Sequence, residues 1–171
     1  MLLKEGLLSW LANNSFESVT VTSLCKASGI TRSTFYLHYS NIMEIVDDLV
    51  DDAIAYSKPG MVDNNNLQTI ANTLSAASNS VSLREAYDSI FDRLPLCQRI
   101  IRHKKYLPLF LDEQISEYVL QRIIGREKDR QGLVIAESLG VSFDVGVSVF
   151  VFLVHGLYAV NKQYKWSQSD E

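Results

Sequence analysis

The chain reads as an all-α protein, and three observations predict it. Only three prolines and eight glycines interrupt 171 residues, which leaves room for long helices. Leu, Ala, Glu, Gln and Arg, the strong helix formers, fill most of the candidate segments. Apolar residues in those segments recur at three- and four-residue spacing, the period of one helix face. A hydrophobic content of 47% with 21% charged residues is ordinary for a globular chain and excludes wholesale disorder. The length suffices for a well-buried core in one or two small domains.

Residues 2 to 13 predict the first helix, with Leu3, Leu7, Leu8, Trp10 and Leu11 near helical spacing and "NNS" ending it. Phe16 and Val19 return the chain to the core. Thr20 is the N-cap expected for a short helix over Val21–Ser28, with Leu24 and Ala27 inward, and Gly29 is its natural C′ residue. Thr31 caps the next short helix, whose Phe35 faces the core. Ser40 or Asn41 caps a longer one reaching about Tyr56, striped by Ile42, Ile45, Val46, Leu49, Val50 and Ala53. The acidic run Asp47 to Asp52 reads as its solvated face.

Lys58-Pro59-Gly60 breaks that helix, and "SKPGMVDNNN" (57–66) reads as a linker between a domain over 1–56 and a second over 57–171. A weak helix is expected over 67–80. Ser82 caps one over 83–94, and Pro95 opens another over 96–104. Leu107 or Pro108 starts a long helix to about Arg126, striped by Leu111, Ile115, Tyr118, Val119, the Arg122 stem and Ile123; "GREKDRQG" reads as a charged turn. The segment "VSFDVGVSVFVF" alternates as a strand would. However, its apolar run continues without a turn to Tyr164, too long for an ordinary strand, so a helix over 143–164 is expected.

Several functions are set aside at this stage. Cys25 and Cys97 have no second Cys or His at ligand spacing, so neither a disulfide framework nor a metal site is expected; reduced thiols suit a cytoplasmic protein. No cofactor-binding loop and no catalytic constellation emerges, and the chain is not expected to be an enzyme. "MLLKEGLLSWL" lacks the cleavage site of a signal peptide. Val145–Val160 is short for a membrane span and holds Ser148, His155 and Gly156, so no membrane role is expected and a buried helix is the reading.

The net charge of −4 argues against nonspecific nucleic-acid binding, but the distribution qualifies it. No Asp or Glu lies between Ser18 and Met43, while Lys26, Arg32 and His38 do. In "KASGITRSTFYLHYSN" (26–41), small residues open the third helix, so it is thin enough for a major groove. Arg32 and the hydroxyls of Thr31, Ser33 and Thr34 supply donors for base edges and phosphates. Tyr36, His38 and Tyr39 carry polar tips on apolar bodies, suited to phosphate. Lys26 is a solvated cation that grazes the backbone.

Three short helices with "SGIT" between the second and third describe a helix-turn-helix. "VTVTSLCKASGITRSTFYLHYSNIMEIV" resembles the DNA-binding domain of the tetracycline-repressor (TetR) family of bacterial regulators, over about residues 2–56. Its most specific piece is the aromatic-Tyr-x-His-aromatic string Phe35 to Tyr39. The resemblance implies phosphate contacts at Thr20 and Thr31, groove exposure for Arg32, Ser33, Thr34 and Leu37, and backbone clamps at Tyr36 and His38. It departs from the family at Ile42, where a lysine is usual, near Ser15, where a glycine is common, and in lacking a basic arm before the first helix. The remainder resembles the family only in being helical, with "FLVHGLYAVNKQYKW" similar to the closing helix of a subgroup common in Firmicutes.

The resemblance implies a homodimeric regulator of double-stranded DNA answering a small-molecule effector or a protein partner, with repression as the default. Tyr87, Phe91, Tyr106, Phe110, Tyr118, Phe150, Phe152, His155 and Tyr158 either line an effector pocket between helices or are simply core. Val145, Val149, Gly156 and Val160 are the expected dimer contacts, with Gly146 and Ser148 also allowing close approach of backbones. The alternative is a co-regulator that acts through a protein partner and binds DNA weakly.

Overall fold

The computed structural model describes residues 2–56, 104–164 and 166, and these residues form helices with no strand among them. The elements are α1 (Leu2–Leu11), a 3-10 turn (Phe16–Ser18), α2 (Val21–Ser28), α3 (Arg32–His38), α4 (Ile42–Tyr56), α5 (Pro108–Leu111), α6 (Ser116–Leu139) and α7 (Phe143–Gln163). The expected linker, the helices over 67–80, 83–94 and 96–104 except Lys104, which stands in a turn, and Cys97 lie outside the described residues.

α1 buries Leu3, Leu7, Leu8 and Leu11 along one face. It ends where the Asn13 and Asn14 side-chain amides donate to the Ser9 and Trp10 carbonyls, satisfying groups that the last turn leaves open. α4 starts on Asn41, whose Oδ1 accepts from Glu44 N at 3.1 Å while the Glu44 carboxylate accepts from Ser40 N at 2.8 Å. Its Ile45, Val46, Leu49, Val50, Ala53 and Ile54 are buried. The buried side chains of α1–α4 join those of α5–α7 in one continuous cluster that includes Leu7, Leu24, Phe35, Leu49, Leu109, Leu120 and Ile123. Ala27, expected inward, is exposed: Leu24 and Cys25 fill the inner face of so short a helix.

The segment expected as one helix from 107 to 126 is two. Asp112 breaks it in an extended conformation (φ −76°, ψ 120°), because its carboxylate accepts from the Gln114 and Ile115 amides and outcompetes the helical ladder. Leu111, placed on the stripe by spacing, is consequently exposed. "GREKDRQG" is not a turn but the middle of α6. Ile124, Glu127, Gly132, Ile135 and Ala136 keep an inward face there, and Arg126, Lys128, Asp129 and Arg130 project outward.

The helix reading of 143–164 holds to within one residue. Ser142 caps α7, and Gly146, Phe150, Val154 and Tyr158 are its buried row. The alternating β-branched pattern yields because a four-residue repeat lies beneath it. Gly146 approaches α6 so closely that a Cβ would collide with the Gly132 carbonyl oxygen. That glycine therefore serves the fold of a single chain, not a contact between chains. The expected burial of α7 is only partial: 22% of its most apolar window is buried, and by length and composition alone it could cross a membrane. Beyond α7, Trp166 sits at φ 56° with its N–H on the Asn161 carbonyl, and its ring packs on Phe110 and Tyr158.

Candidate nucleic-acid interface

The α2–α3 pair is built from local signals. Thr20 Oγ1 accepts from Ser23 N at 3.0 Å and Ser23 Oγ accepts from Thr20 N at 2.9 Å, a reciprocal cap. At the other end of α2, Gly29 takes a left-handed conformation (φ 66°) that a side chain would resist, and Ile30 N donates to the Cys25 carbonyl. Thr31 Oγ1 then accepts from Thr34 N at 3.1 Å and starts α3. Phe35, fully buried, anchors α3, with the Tyr36 ring edge-on to it at 5.2 Å. Cys25 is buried with its thiol toward the Thr31 carbonyl, a packing role.

On this anchor the outer side of α3 is open. Leu37 is 81% and Tyr36 53% exposed, and Thr31, Arg32, Ser33 and His38 are exposed beside them, with Thr34 half-buried. Lys26 and Thr20 are exposed on α2 and its cap. Neither Arg32 nor Lys26 forms an ion pair with the described residues, so both cations remain available to a ligand.

Tyr39 is different from the other residues expected at phosphate. It is half-buried, and its hydroxyl donates to Asp48 Oδ2 at 2.9 Å. Burial, then the Asp48 bond, raises the phenol above its ordinary value. Its polar tip is spent inside the chain.

The acidic run on α4 is not a free solvated face. Asp48 and Asp52 hold Lys4 of α1 at 3.4 and 2.8 Å, Asp47 meets Arg122 at 3.2 Å and the Tyr118 hydroxyl at 2.6 Å, and Asp51 meets Arg126 at 2.8 Å. Burial works against the Lys4 ammonium, but the bonds and charges of Asp52 and Asp48 outweigh it and raise its pKa. A cleft of about 800 Å³ lies along this row, bounded by Ile30, Thr34 and His38 of the α3 region and by Arg122 and Arg126 of α6. Sequence spacing could not pair α4 with α6 across 71 or 75 residues.

Ile42 is half-buried and packs against the core, so the position that carries lysine in the resembled family points inward here. The seven acidic and three basic residues of 1–56 give that segment the whole net charge of −4. Of these acids, Glu44, Asp47, Asp48 and Asp51 share the walls of the cleft with Thr34 and His38.

Of the described residues expected to line an effector pocket, Phe110 and Tyr158 meet on the Trp166 ring. Tyr106 and Phe110 are buried core, Tyr106 beside Tyr56 and Phe110 beside Trp166. Tyr118 turns to Asp47. Phe150 and Tyr158 are buried on one side of α7, while Phe152 and His155 are exposed on the other. Tyr87 and Phe91 lie outside the described residues. Of the expected dimer contacts, Val145, Gly156 and Val160 are exposed and Val149 is half-buried. No protein-family model, curated protein or solved structure matches this chain.

Proposed function

We propose that the chain is a DNA-binding transcriptional regulator that inserts α3 into the major groove and works as a homodimer on a two-fold symmetric site. The observation that carries this reading is the open crown of α3. A short helix fixed by one buried aromatic presents a guanidinium, hydroxyls, a phenol and an imidazole to solvent, on a stretch without a carboxylate from Ser18 to Met43. Arg32 and Ser33 lead into the groove for base edges. Thr20, Thr31, Tyr36 and His38 flank it for phosphates, which position without specifying. Leu37 offers apolar contact to a thymine methyl.

The dimer reading rests on α7. Phe152 is 76% exposed and Val145 and Val160 are exposed with it, on a helix with no Asp, Glu, Lys or Arg from Val145 to Asn161. A second copy of the same helix covers such a strip, and it sets two copies of α3 on successive turns of one duplex face. Occupancy of a promoter then represses it, and an effector or partner acts by favouring one spacing of the two α3 helices. Titrating the purified chain onto duplex fragments from around its own gene at two salt concentrations tests this. Binding that weakens steeply with salt and is specific to one fragment supports it; no shift on any fragment contradicts it.

A second reading is favoured by two observations. Residues 1–56 carry net charge −4, and Leu37 is the most exposed residue of the crown. A co-regulator whose α3 region engages DNA weakly, and which acts through a protein partner, fits that balance. Salt-insensitive capture of a protein rather than of DNA distinguishes it.

A further inference from the structure

We infer that Glu44 limits how tightly the chain holds DNA: its carboxylate closes the head of α4 to phosphate and repels the DNA backbone beside α3, so that a lasting complex needs both copies of α3 on their half-sites. This rests on the reading of α3 as the DNA-reading helix and assigns a repelling residue to that same surface.

A helix N-terminus ordinarily favours an anion, because its first amides lack partners within the helix and point outward. At the head of α4 the chain supplies that anion itself. The Glu44 carboxylate accepts from Ser40 N at 2.8 Å, and Glu44 N in turn donates to Asn41 Oδ1 at 3.1 Å. The Ser40 amide is therefore taken and does not meet a phosphate oxygen. Ile42, turned to the core, brings no cation to the same turn.

The chain itself places this carboxylate beside α3. Ser40 is two residues beyond His38, so their Cα atoms lie no more than about 7 Å apart. Glu44, His38 and Thr34 line one cleft, with His38 exposed and Glu44 half-buried. A phosphate taken by His38 thus lies on the order of 10 Å from the Glu44 carboxylate, about one Debye length at 0.1 M salt. The acids further along α4 differ in their partners. Asp47 meets Arg122, Asp48 and Asp52 share Lys4, and Asp51 meets Arg126. Glu44 is held by a backbone amide, which orients the carboxylate and leaves its charge in place.

Two like charges about 10 Å apart cost about twofold in affinity where the dielectric is that of water, and more at a protein surface. A symmetric pair carries the cost twice, about fourfold or more. The repulsion acts on phosphate, so it is the same for every sequence. A single α3, with one guanidinium and this repulsion beside it, releases DNA readily. Two joined copies retain it, because the second contact is then made within one complex.

Titrating the chain, Glu44→Gln and Asp51→Asn onto a duplex from around its own gene and onto a scrambled one, at about 50 and about 300 mM salt, tests this. Glutamine keeps an oxygen for the Ser40 amide, so the cap of α4 is preserved. The expected result is that Glu44→Gln binds both duplexes at least about fourfold tighter at the lower salt, with the gain shrinking at the higher. Asp51→Asn removes the same charge about 10 Å further along α4 and should gain less. Equal gains from the two substitutions would reduce the effect to net charge and overturn the inference. Unchanged affinity in Glu44→Gln, as a purely structural cap would give, or a gain on one duplex alone, overturns it while leaving the DNA reading standing. No binding by the parent or by either variant overturns the DNA reading and this inference with it.

Discussion

The Asp112 carboxylate accepts the Phe16 backbone N–H at 2.7 Å, across 96 residues of chain. Its other oxygen takes the Gln114 and Ile115 amides at the head of α6. One side chain thus ends α5, begins the turn into α6 and ties both to the 3-10 turn that leads into α2. Asp112→Asn should break the long-range part. With its oxygen kept on the α6 amides, the NH2 faces the Phe16 N–H, donor against donor. A loss of about 1–3 kcal/mol is expected. Hydrogen exchange should show Phe16 losing protection while the α6–α7 contact keeps it; unchanged exchange at Phe16 would contradict the assignment.

Ile42→Lys would restore the cation usual in the resembled family, but the core contact of Ile42 sets the outcome. The change removes part of a packed side chain and places an ammonium against apolar neighbours. It should lower stability by about 1–2 kcal/mol. A melting temperature that is unchanged, together with a steeper salt dependence of DNA binding, would show that the side chain reaches phosphate instead.

Tyr36→Phe and His38→Ala should weaken binding to all duplexes alike, since phosphate contacts carry no base information. Arg32→Ala should cost about 1–3 kcal/mol at one base pair and relax specificity there. Competition between the chosen duplex and single-base variants separates the two outcomes. A uniform loss for Arg32→Ala would move it to the phosphate-contacting group.

Gly156→Ala separates a free surface from a contact. In the isolated chain the added methyl meets nothing, and replacing a mid-helix glycine should stabilise by about 1 kcal/mol. If two copies approach at this point, the same methyl weakens their association. A variant that melts higher as a monomer and dimerises less is the expected combination; stronger dimerisation would place the contact elsewhere. Phe152→Arg should abolish association without disturbing the fold, because its side chain points to solvent in the single chain.

What the sequence made legible was local. Thr20, Gly29, Thr31 and the four-residue spacing of the apolar stripes each act within one or two turns, and the helices they predict are present. What escaped was non-local or competitive. Asp112 looked like one more helix residue; its bonds to the Gln114 and Ile115 amides are local and compete with the helix, and its bond to Phe16 is invisible along the chain. The acids of α4 looked solvated because Lys4, Arg122 and Arg126 reach them from other helices. Tyr39 shares the chemistry of Tyr36, and only its bond to Asp48 separates them. "GREKDRQG" carries turn composition, yet Gly132 serves the close approach of α7, a reason invisible along one helix.

The central claim is that α3 reads DNA as one of a symmetric pair, and selection from a random duplex library with the purified chain tests it most directly. The account predicts enrichment of a two-fold symmetric sequence whose half-sites lie about one helical turn apart, or a multiple of it. It also predicts that Arg32→Ala loses preference at one position in each half. No enriched sequence, or an asymmetric one unaffected by Arg32→Ala, would contradict it.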